Sequence, residues 1–304
     1  MNWSRAKSVL IIIFILLNAV LGYFNFLRPY RVMQTAMGDD AALAAIRDQL
    51  LQEKITLMLS IPHEVHKTGR LGLITSTEMK QNVVNLFSGL DSKTTAYTMP
   101  NGSVYYTVNA GQEQVVLSAN SLLTYTNNNA IIEESTPLIS YEFARSVAKN
   151  FLNDRLNYSI SGYRLQTQIA QTELSTSQTI IWCRSYEGYT LYDVTLEITV
   201  VGNQIQSCTL NPYRITGENS PAQWTATAAD ILLRLPDDEY IQSLREKALA
   251  TGENWLVIKE IEFGYFSFFS STEIGEAQPV WRILLQDNRE IYFDAFTAER
   301  LFYR

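Results

Sequence analysis

The sequence predicts a membrane-anchored α+β protein in which helices pack on antiparallel sheets. Three observations carry this prediction. A run of 20 residues without a charge, 8–27, lies close to the N-terminus. After residue 137, a helical pattern followed by several strand patterns occurs twice. The 304 residues include 17 tyrosines and 13 phenylalanines, and aromatic side chains are enriched in half-buried sheets.

The charge-free run Ser8–Leu27 predicts a transmembrane helix. Twenty helical residues span about 30 Å, which matches the hydrocarbon core of a bilayer. Fourteen of them are Val, Leu, Ile or Phe, which all favour insertion. The alternative is a signal peptide cleaved before Tyr23, since Val20 and Gly22 form a small-residue cleavage site. Secretory apolar cores are usually about 7–15 residues long, so the longer run favours an uncleaved anchor.

Residues 1–7 are predicted to be cytoplasmic, with the C-terminal part of the chain extracytoplasmic. Arg5 and Lys7 lie on one side of the apolar run, and Arg28 and Arg31 lie on the other, so the positive-inside bias is slight. The shortness of the leading segment favours this orientation. Trp3 is interpreted, with Arg5 and Lys7, as an anchor at the membrane interface.

Charge excludes nucleic acid as a partner. All 31 acidic residues lie beyond Arg31, together with 20 of the 24 basic residues, which gives this part a net charge of −11. A domain with this charge repels nucleic acids and anionic membrane surfaces.

Residues 28–136 are predicted to form a membrane-proximal α+β region, and Pro137 marks the boundary with the next one. Asp39 and Asp40 are suitable caps for its first helix. Turn signals separate the short apolar runs that follow. The predicted elements are a helix over Ala41–Glu53, a strand over Ile55–Leu59, several strands between Leu71 and Thr126, and a helix near Glu78–Leu86.

Residues 137–220 are predicted to form a helix packed on an antiparallel sheet. Ser140 is a good cap for the helix. The residues at 192, 194, 196, 198 and 200 are apolar or aromatic and alternate with polar ones, so one face of that strand is buried. Gly202-Asn203 predicts a hairpin turn. The apolar stripe of the helix consists of Phe143, Val147 and Phe151, with Ala144, Ala148 and Leu152 beside them.

Residues 221–304 are predicted to repeat this plan. The strand Pro279–Leu285 alternates so that Trp281 and Ile283 point into the core. The predicted elements are helices over Thr225–Leu235 and Glu239–Ala250, and strands near Trp255–Phe268, Val280–Leu285, Glu290–Phe296 and Arg300–Tyr303.

Cys183 and Cys208 are predicted to be free thiols. They lie on strands that a third strand separates in a simple meander, so they are nearly 10 Å apart, too far for a disulfide. An oxidising compartment would permit a bridge if the strands were arranged otherwise.

Several segments of the chain resemble the WalI (YycI) family of regulatory proteins. The likeness covers the predicted anchor and roughly Ser140–Arg304. Two departures are Asn2, where the family usually has Asp, and Ala298, where it has Gly. The segments that carry the resemblance are Met1-Asn2-Trp3-Ser4-Arg5-Ala6-Lys7, Tyr186-Glu187-Gly188-Tyr189, Gly264-Tyr265, Pro279-Val280-Trp281-Arg282-Ile283 and Tyr292-Phe293-Asp294-Ala295-Phe296-Thr297.

The resemblance implies an accessory protein of a sensor histidine kinase. The family acts outside the cytoplasm on the WalK (YycG) kinase of the WalK/WalR (YycG/YycF) two-component system, which is linked to cell-wall homeostasis. It acts with WalH (YycH) through the membrane helices. The regions 137–220 and 221–304 also look like PepSY modules, which implies inhibitory or chaperone-like binding. The resemblance leaves the sign of regulation and the signal open.

The residues themselves predict no enzyme, no cofactor and no metal. His63 and His66 are the only histidines, and their i, i+3 spacing lacks the i, i+4 geometry of zinc proteases. We therefore expect them in a solvated loop. The acidic run 237–239 follows Pro236, where carboxylates favour the first turn of a helix over a paired-carboxylate active site.

Asn18 is the candidate contact for a partner helix. A side-chain amide in hydrocarbon is costly unless it bonds to another helix, where the bond contributes about 0.6–2 kcal/mol. The alternative is that a strongly apolar anchor tolerates one Asn. Two function classes therefore remain: modulation of a kinase through helix and ectodomain contacts, and a tethered extracytoplasmic binding or protease-inhibiting module without a kinase.

Overall fold

The computed structural model describes residues 14, 18, 40–75, 95–100, 102–108, 111–118, 122–155, 158–166, 174–211, 213–250, 256–269 and 274–303. These residues form a mixed α+β structure with few helices and many strands, as the sequence predicts. The helices are α1 (Asp40–Gln52), α2 (Tyr141–Asn150), α3 (Ala228–Arg234) and α4 (Glu239–Ala250). A π-helical turn, Phe151–Arg155, continues α2, and a 3-10 turn, Leu235–Asp237, continues α3.

The strands are β1 (Ile55–Leu57), β2 (Lys67–Thr68), β3 (Leu71–Ile74), β4 (Thr95–Thr98), β5 (Val104–Val108), β6 (Glu113–Leu117), β7 (Leu123–Asn127), β8 (Tyr163–Leu165), β9 (Ser177–Tyr186), β10 (Tyr189–Val201), β11 (Gln204–Leu210), β12 (Arg214–Glu218), β13 (Gln223–Trp224), β14 (Leu256–Phe269), β15 (Ile274–Leu285), β16 (Glu290–Asp294) and β17 (Arg300–Tyr303).

Contacts divide the chain into two compact units, both discontinuous in sequence. Unit 1 comprises Met1–Thr68, Ala222–Phe263 and Val280–Arg304. Unit 2 comprises Gly69–Pro221 and Gly264–Pro279. The division groups strands that lie far apart in the sequence, because pairing partners come from distant segments.

In unit 2, helix α2 packs on an antiparallel sheet. Ser140 caps it: its Oγ accepts a hydrogen bond from the backbone N–H of Phe143 at 3.2 Å. Phe143 itself is 47% exposed, so its predicted place in the buried stripe is wrong. Ala144 and Ala148 are buried on the face of α2 that packs on the sheet, and their small side chains let the helix approach it closely. Phe151 and Leu152 of the π-helical turn are buried in the same core.

The sheet of unit 2 is mainly antiparallel. Strand β10 pairs with β9 on one side and with β11 on the other, and β11 continues into the meander β7-β6-β5-β4. The alternation along β10 is confirmed, because the side chains at 192, 194, 196, 198 and 200 are all buried. The predicted turn at Gly202 is also present, with φ of 54° and Val201 paired with Gln204.

Both cysteines are buried free thiols, as predicted. Cys183 of β9 lies opposite Thr195 of β10, and Cys208 of β11 lies opposite Ile198 of the same strand. Strand β10 therefore separates them. Burial raises the pKa of the Cys208 thiol to about 12, so this group stays protonated at neutral pH.

In unit 1, β15 pairs antiparallel with β16, which pairs with β17, and β1 runs parallel to β14. Trp281 and Ile283 are buried as predicted. Arg282, which lies between them, is buried as well, at 5% exposure, and so are Val280 and Leu284. Both faces of this part of β15 are therefore covered.

The predicted anchor lies almost wholly outside the described residues, as do Trp3, Arg5, Lys7 and the predicted helix near Glu78–Leu86. Within the described part of the chain, no helix is both long and apolar enough to cross a membrane. Phe14 and Asn18 are described, and both are helical.

Candidate functional site

The two histidines are not brought together. His63 is exposed, whereas His66 is buried in unit 1 against two aromatic rings. Its imidazole stacks on Phe263 with ring centroids 4.0 Å apart and lies 5.8 Å from the Trp281 ring centroid. The expectation of a solvated loop is therefore wrong for His66, because aromatic packing buries it. No cluster of three or more potential metal-ligating side chains occurs among the described residues.

Burial lowers the pKa of His66. Loss of hydration disfavours the charged imidazolium, and the carboxylate of Glu64, 3.8 Å away, opposes this effect only in part. At neutral pH His66 is therefore an uncharged core residue.

The acidic run 237–239 is a helix cap, as expected. The Asp238 carboxylate accepts hydrogen bonds from the backbone N–H groups of Tyr240 at 3.0 Å and Ile241 at 3.1 Å. The Arg300 guanidinium also donates to Asp238 at 2.8 Å. The role of the Asp238 carboxylate is therefore to stabilise the N-terminus of α4.

Unit 2 contains an open cleft of about 600 Å³ where β3 lies between β12 and β15. We call it the β3 cleft. Its volume falls within the range of about 300–1,000 Å³ that is usual for small-molecule sites. Six residues that line it define its chemistry: Arg70, Gly72, Asn219, Phe268, Ile274 and Glu276.

The alternation of β3 forms the floor of the β3 cleft. Leu71 and Leu73 are fully buried, so Gly72 and Ile74 occupy the opposite face. Gly72 pairs with Glu276, and Ile74 pairs with Ile274, which places these partners on the cleft face as well. A Cβ atom at Gly72 would lie 2.4 Å from the Thr216 hydroxyl, so the absence of a side chain at this position leaves room for that hydroxyl.

One cation and one anion lie side by side in the β3 cleft. The Arg70 Nη1 and Glu276 Oε2 atoms are 3.6 Å apart, and both side chains are about half exposed, at 48% and 49%. The Asn219 amide donates to Glu276 Oε1 at 3.0 Å. An ion pair exposed to this degree contributes little to stability, so its groups can exchange partners at low cost.

The backbone beneath these charges is fixed. The Arg70 N–H donates to Ser220 Oγ at 2.7 Å, and the Asn219 N–H donates to the Arg70 carbonyl oxygen at 2.9 Å. Apolar side chains border the charges, because Phe268 is 44% exposed and Ile274 is 59% exposed. The β3 cleft can therefore present charge, hydrogen bonding and apolar surface to one ligand.

Sequence reasoning missed the β3 cleft entirely. Its residues come from three segments, 70–74, 216–219 and 268–278, and no segment contains a motif of its own. Ile274 is the exposed apolar residue of β15, and its exposure is evident only once the strands are paired.

Asn18 makes a hydrogen bond within its own helix. Its Nδ2 donates to the carbonyl oxygen of Phe14 at 2.8 Å. An asparagine amide carries a second N–H and an acceptor oxygen, so this bond uses only part of its capacity. Its predicted role as a contact for a partner helix stays a prediction.

Comparisons with known proteins give matches only among solved structures. No family model matches the chain, and no curated protein matches it. It is similar to an uncharacterized protein from Eubacterium rectale ATCC 33656, solved by crystallography, with 12% sequence identity and a TM-score of 0.52 over 88% of this chain and 99% of that one. At this identity, the likeness shows a shared fold alone.

A second solved structure is the C-terminal domain of YpeB from Bacillus megaterium. It is 10% identical and covers 76% of this chain and 97% of its own, with a TM-score of 0.39. This TM-score is too low to establish that the two chains share one fold.

Proposed function

We propose that this chain is a membrane-anchored accessory protein that modulates a sensor histidine kinase of the WalK (YycG) type. It acts by contact through its transmembrane helix and its extracytoplasmic units, together with a partner similar to WalH (YycH), in a two-component system linked to cell-wall homeostasis. The observation that carries this proposal is the resemblance to the WalI (YycI) family at the predicted anchor and in the C-terminal segments.

The segments that carry the resemblance have identifiable structural roles in this chain. Gly264 lies beneath the Tyr192 ring, where a Cβ atom would be 2.6 Å from a ring carbon. Trp281 Nε1 donates to the Ala226 carbonyl oxygen at 2.9 Å. Asp294 Oδ1 accepts from the N–H groups of Phe296 at 2.6 Å and Thr297 at 3.0 Å.

The second candidate function is a tethered extracytoplasmic binding module, similar to PepSY modules, that acts without a kinase. The β3 cleft favours this candidate, because a cleft can bind a ligand whether or not the anchor recognises a partner.

Co-purification from membranes tests the kinase proposal. Replacing residues 8–27 with an unrelated apolar helix should preserve the membrane level of the protein and abolish co-purification with the kinase. Asn18→Leu removes a hydrogen bond of about 1 kcal/mol and should weaken association about fivefold.

Comparing the two variants distinguishes a role of Asn18 from a role of the whole helix. A helix-swapped chain that co-purifies like the wild type would contradict recognition through the anchor. A defective swap with a neutral Asn18→Leu would discard Asn18 as the contact and retain the anchor.

A further inference from the structure

We propose that the β3 cleft binds a zwitterionic amino acid or dipeptide that carries a large apolar side chain. The inference goes beyond the proposed function, because it concerns a ligand of unit 2 and requires neither the anchor nor a kinase.

The charges of the β3 cleft complement both ends of such a ligand. The Arg70 guanidinium has five N–H donors in a planar fork, and its contact with Glu276 involves one nitrogen. The remaining fork suits the two oxygens of an α-carboxylate. The Glu276 carboxylate lies beside it and can accept hydrogen bonds from an α-ammonium group. The two opposite charges of the ligand therefore match those of Arg70 and Glu276.

The distance between Arg70 and Glu276 is long enough for the ion pair to open when a ligand binds. Its 3.6 Å separation is longer than the 2.7–2.9 Å of a charge-assisted hydrogen bond. Asn219 holds Glu276 from the other oxygen at 3.0 Å, so the carboxylate stays in place when Arg70 turns to a ligand.

The apolar border selects the side chain of the ligand. Phe268 and Ile274 are both more than two-fifths exposed, and Ile74 lies opposite Ile274 in the register. Burying a large apolar side chain against them removes this surface from water. A ligand with charge at one end and a phenyl or isobutyl group at the other matches both parts.

Other ligand classes fit less well. A phosphate or nucleotide would lie against Glu276 as well as Arg70, so repulsion would offset attraction. A divalent cation would have one carboxylate and an adjacent guanidinium, a poor oxygen-ligand set.

Isothermal titration calorimetry with the full chain in a mild detergent tests the inference. The ligands are phenylalanine, the dipeptide alanyl-phenylalanine, N-acetyl-phenylalanine, phenylalanine amide and glycine. We expect binding of phenylalanine or the dipeptide, and whichever binds more tightly identifies the form of the ligand. Each singly blocked ligand should bind at least about tenfold more weakly, since it loses one charge-assisted contact.

The variants assign each end of the ligand to its residue. Arg70→Gln should weaken the zwitterion at least about tenfold and leave phenylalanine amide, which has no carboxylate, unchanged. Glu276→Gln should do the reverse, weakening the zwitterion and sparing N-acetyl-phenylalanine. Arg145→Gln, which removes the cation of the ion pair with Glu142 on α2 and lies outside the cleft lining, is the matched control and should have no effect.

Three results would overturn the inference: no heat from any zwitterion up to millimolar concentration, equal affinity for blocked and zwitterionic forms, or equal affinity for glycine and phenylalanine. The comparison of ligands on the wild-type chain is independent of the folding of any variant.

Discussion

Ala298 occupies a backbone position that favours glycine. It lies in the turn between β16 and β17 with φ of 57°, the left-handed region in which a Cβ atom is strained. Glycine adopts this backbone conformation without strain, so the geometry of the turn favours glycine over alanine at residue 298.

We predict that Ala298→Gly raises the free energy of unfolding by about 1 kcal/mol, because it relieves the strain of the left-handed backbone. Urea unfolding of the full chain measures the change. Ala295→Gly is the matched control in the same turn, since Ala295 is buried and has no positive φ, and it should lower stability. A loss of stability in Ala298→Gly would contradict the account of this turn.

His66 gives the fold a defined dependence on pH. Because burial lowers its pKa in the folded state below the ordinary value of 6.5, the unfolded chain binds a proton first as the pH falls. Above pH 6.5 His66 is uncharged in both the folded and the unfolded chain, so its protonation does not affect stability. Stability is lost as the pH falls from 6.5 towards the lowered pKa, because the unfolded chain binds the proton and the folded chain does not.

We predict that His66→Phe, which keeps an aromatic ring against Phe263, reduces the loss of stability between pH 7.5 and pH 5. Urea midpoints at several pH values measure this slope. His63→Gln, at the exposed histidine, is the control and should retain the wild-type slope. Identical slopes in wild type and His66→Phe would show that His66 does not carry the dependence.

At the scale of elements, β10 and β14 approach unusually closely. They pair in parallel through Thr190 with Gly264 and Leu191 with Tyr265. A Cβ atom at Gly264 would lie 2.5 Å from the Thr190 carbonyl oxygen, which is backbone and cannot rotate away. The glycine of the Gly264-Tyr265 motif is thus required by strand pairing.

We predict that Gly264→Ala lowers the free energy of unfolding by about 1–3 kcal/mol, because the strands must separate to admit the methyl group. Thermal unfolding of the full chain measures the loss. Gly264→Ala combined with Tyr192→Leu should recover little, since the backbone clash remains. A melting temperature equal to that of the wild type would show that the two strands are farther apart than this contact requires.

Strands β14, β15 and β16 contribute charged side chains to a network in unit 1, in which Arg282 and Glu290 are buried. Arg282 Nη2 contacts Glu260 Oε2 at 2.6 Å, and its Nη1 contacts Glu290 Oε1 at 3.4 Å. Glu290 also accepts from the Tyr292 hydroxyl at 2.7 Å, and it is only 8% exposed. Removing Arg282 would leave a buried carboxylate without its cation.

We predict that Arg282→Met lowers the free energy of unfolding by about 3–5 kcal/mol, the cost of breaking a buried ion pair. Urea unfolding at neutral pH provides the measurement. Arg289→Met is the control, because Arg289 pairs with Asp287 at an exposed turn and such a pair contributes less than about 1 kcal/mol. Equal effects of the two variants would contradict the assignment.

The elements themselves were predictable where local chemistry decides them. Ser140 and Asp238 cap helices as their sequence context indicates, and the period-two pattern of β10 gives its buried face. The errors arise where distant segments decide burial: Phe263 covers His66, and β14 and β16 supply partners that let Arg282 lie inside. The β3 cleft could not be predicted from the sequence for the same reason, because it forms only when β3 pairs with the distant strand β15.

At the scale of the whole molecule, the fold and the proposed function rest on different observations. The α+β fold rests on the described strands and helices and on the likeness to the Eubacterium rectale protein. Action on a kinase rests on the resemblance to the WalI family and on the predicted anchor.

The central claim is that the chain modulates a sensor kinase by direct contact, and its most direct test is reconstitution. The WalK-type kinase and the WalH-type protein of the same organism are placed together in lipid vesicles, with and without the full chain, and the rate of kinase autophosphorylation is measured. We predict a change of about fivefold or more at equimolar protein, in the range of typical allosteric coupling, that is lost with a helix-swapped chain. An unchanged rate at tenfold molar excess of the wild-type chain would contradict the account.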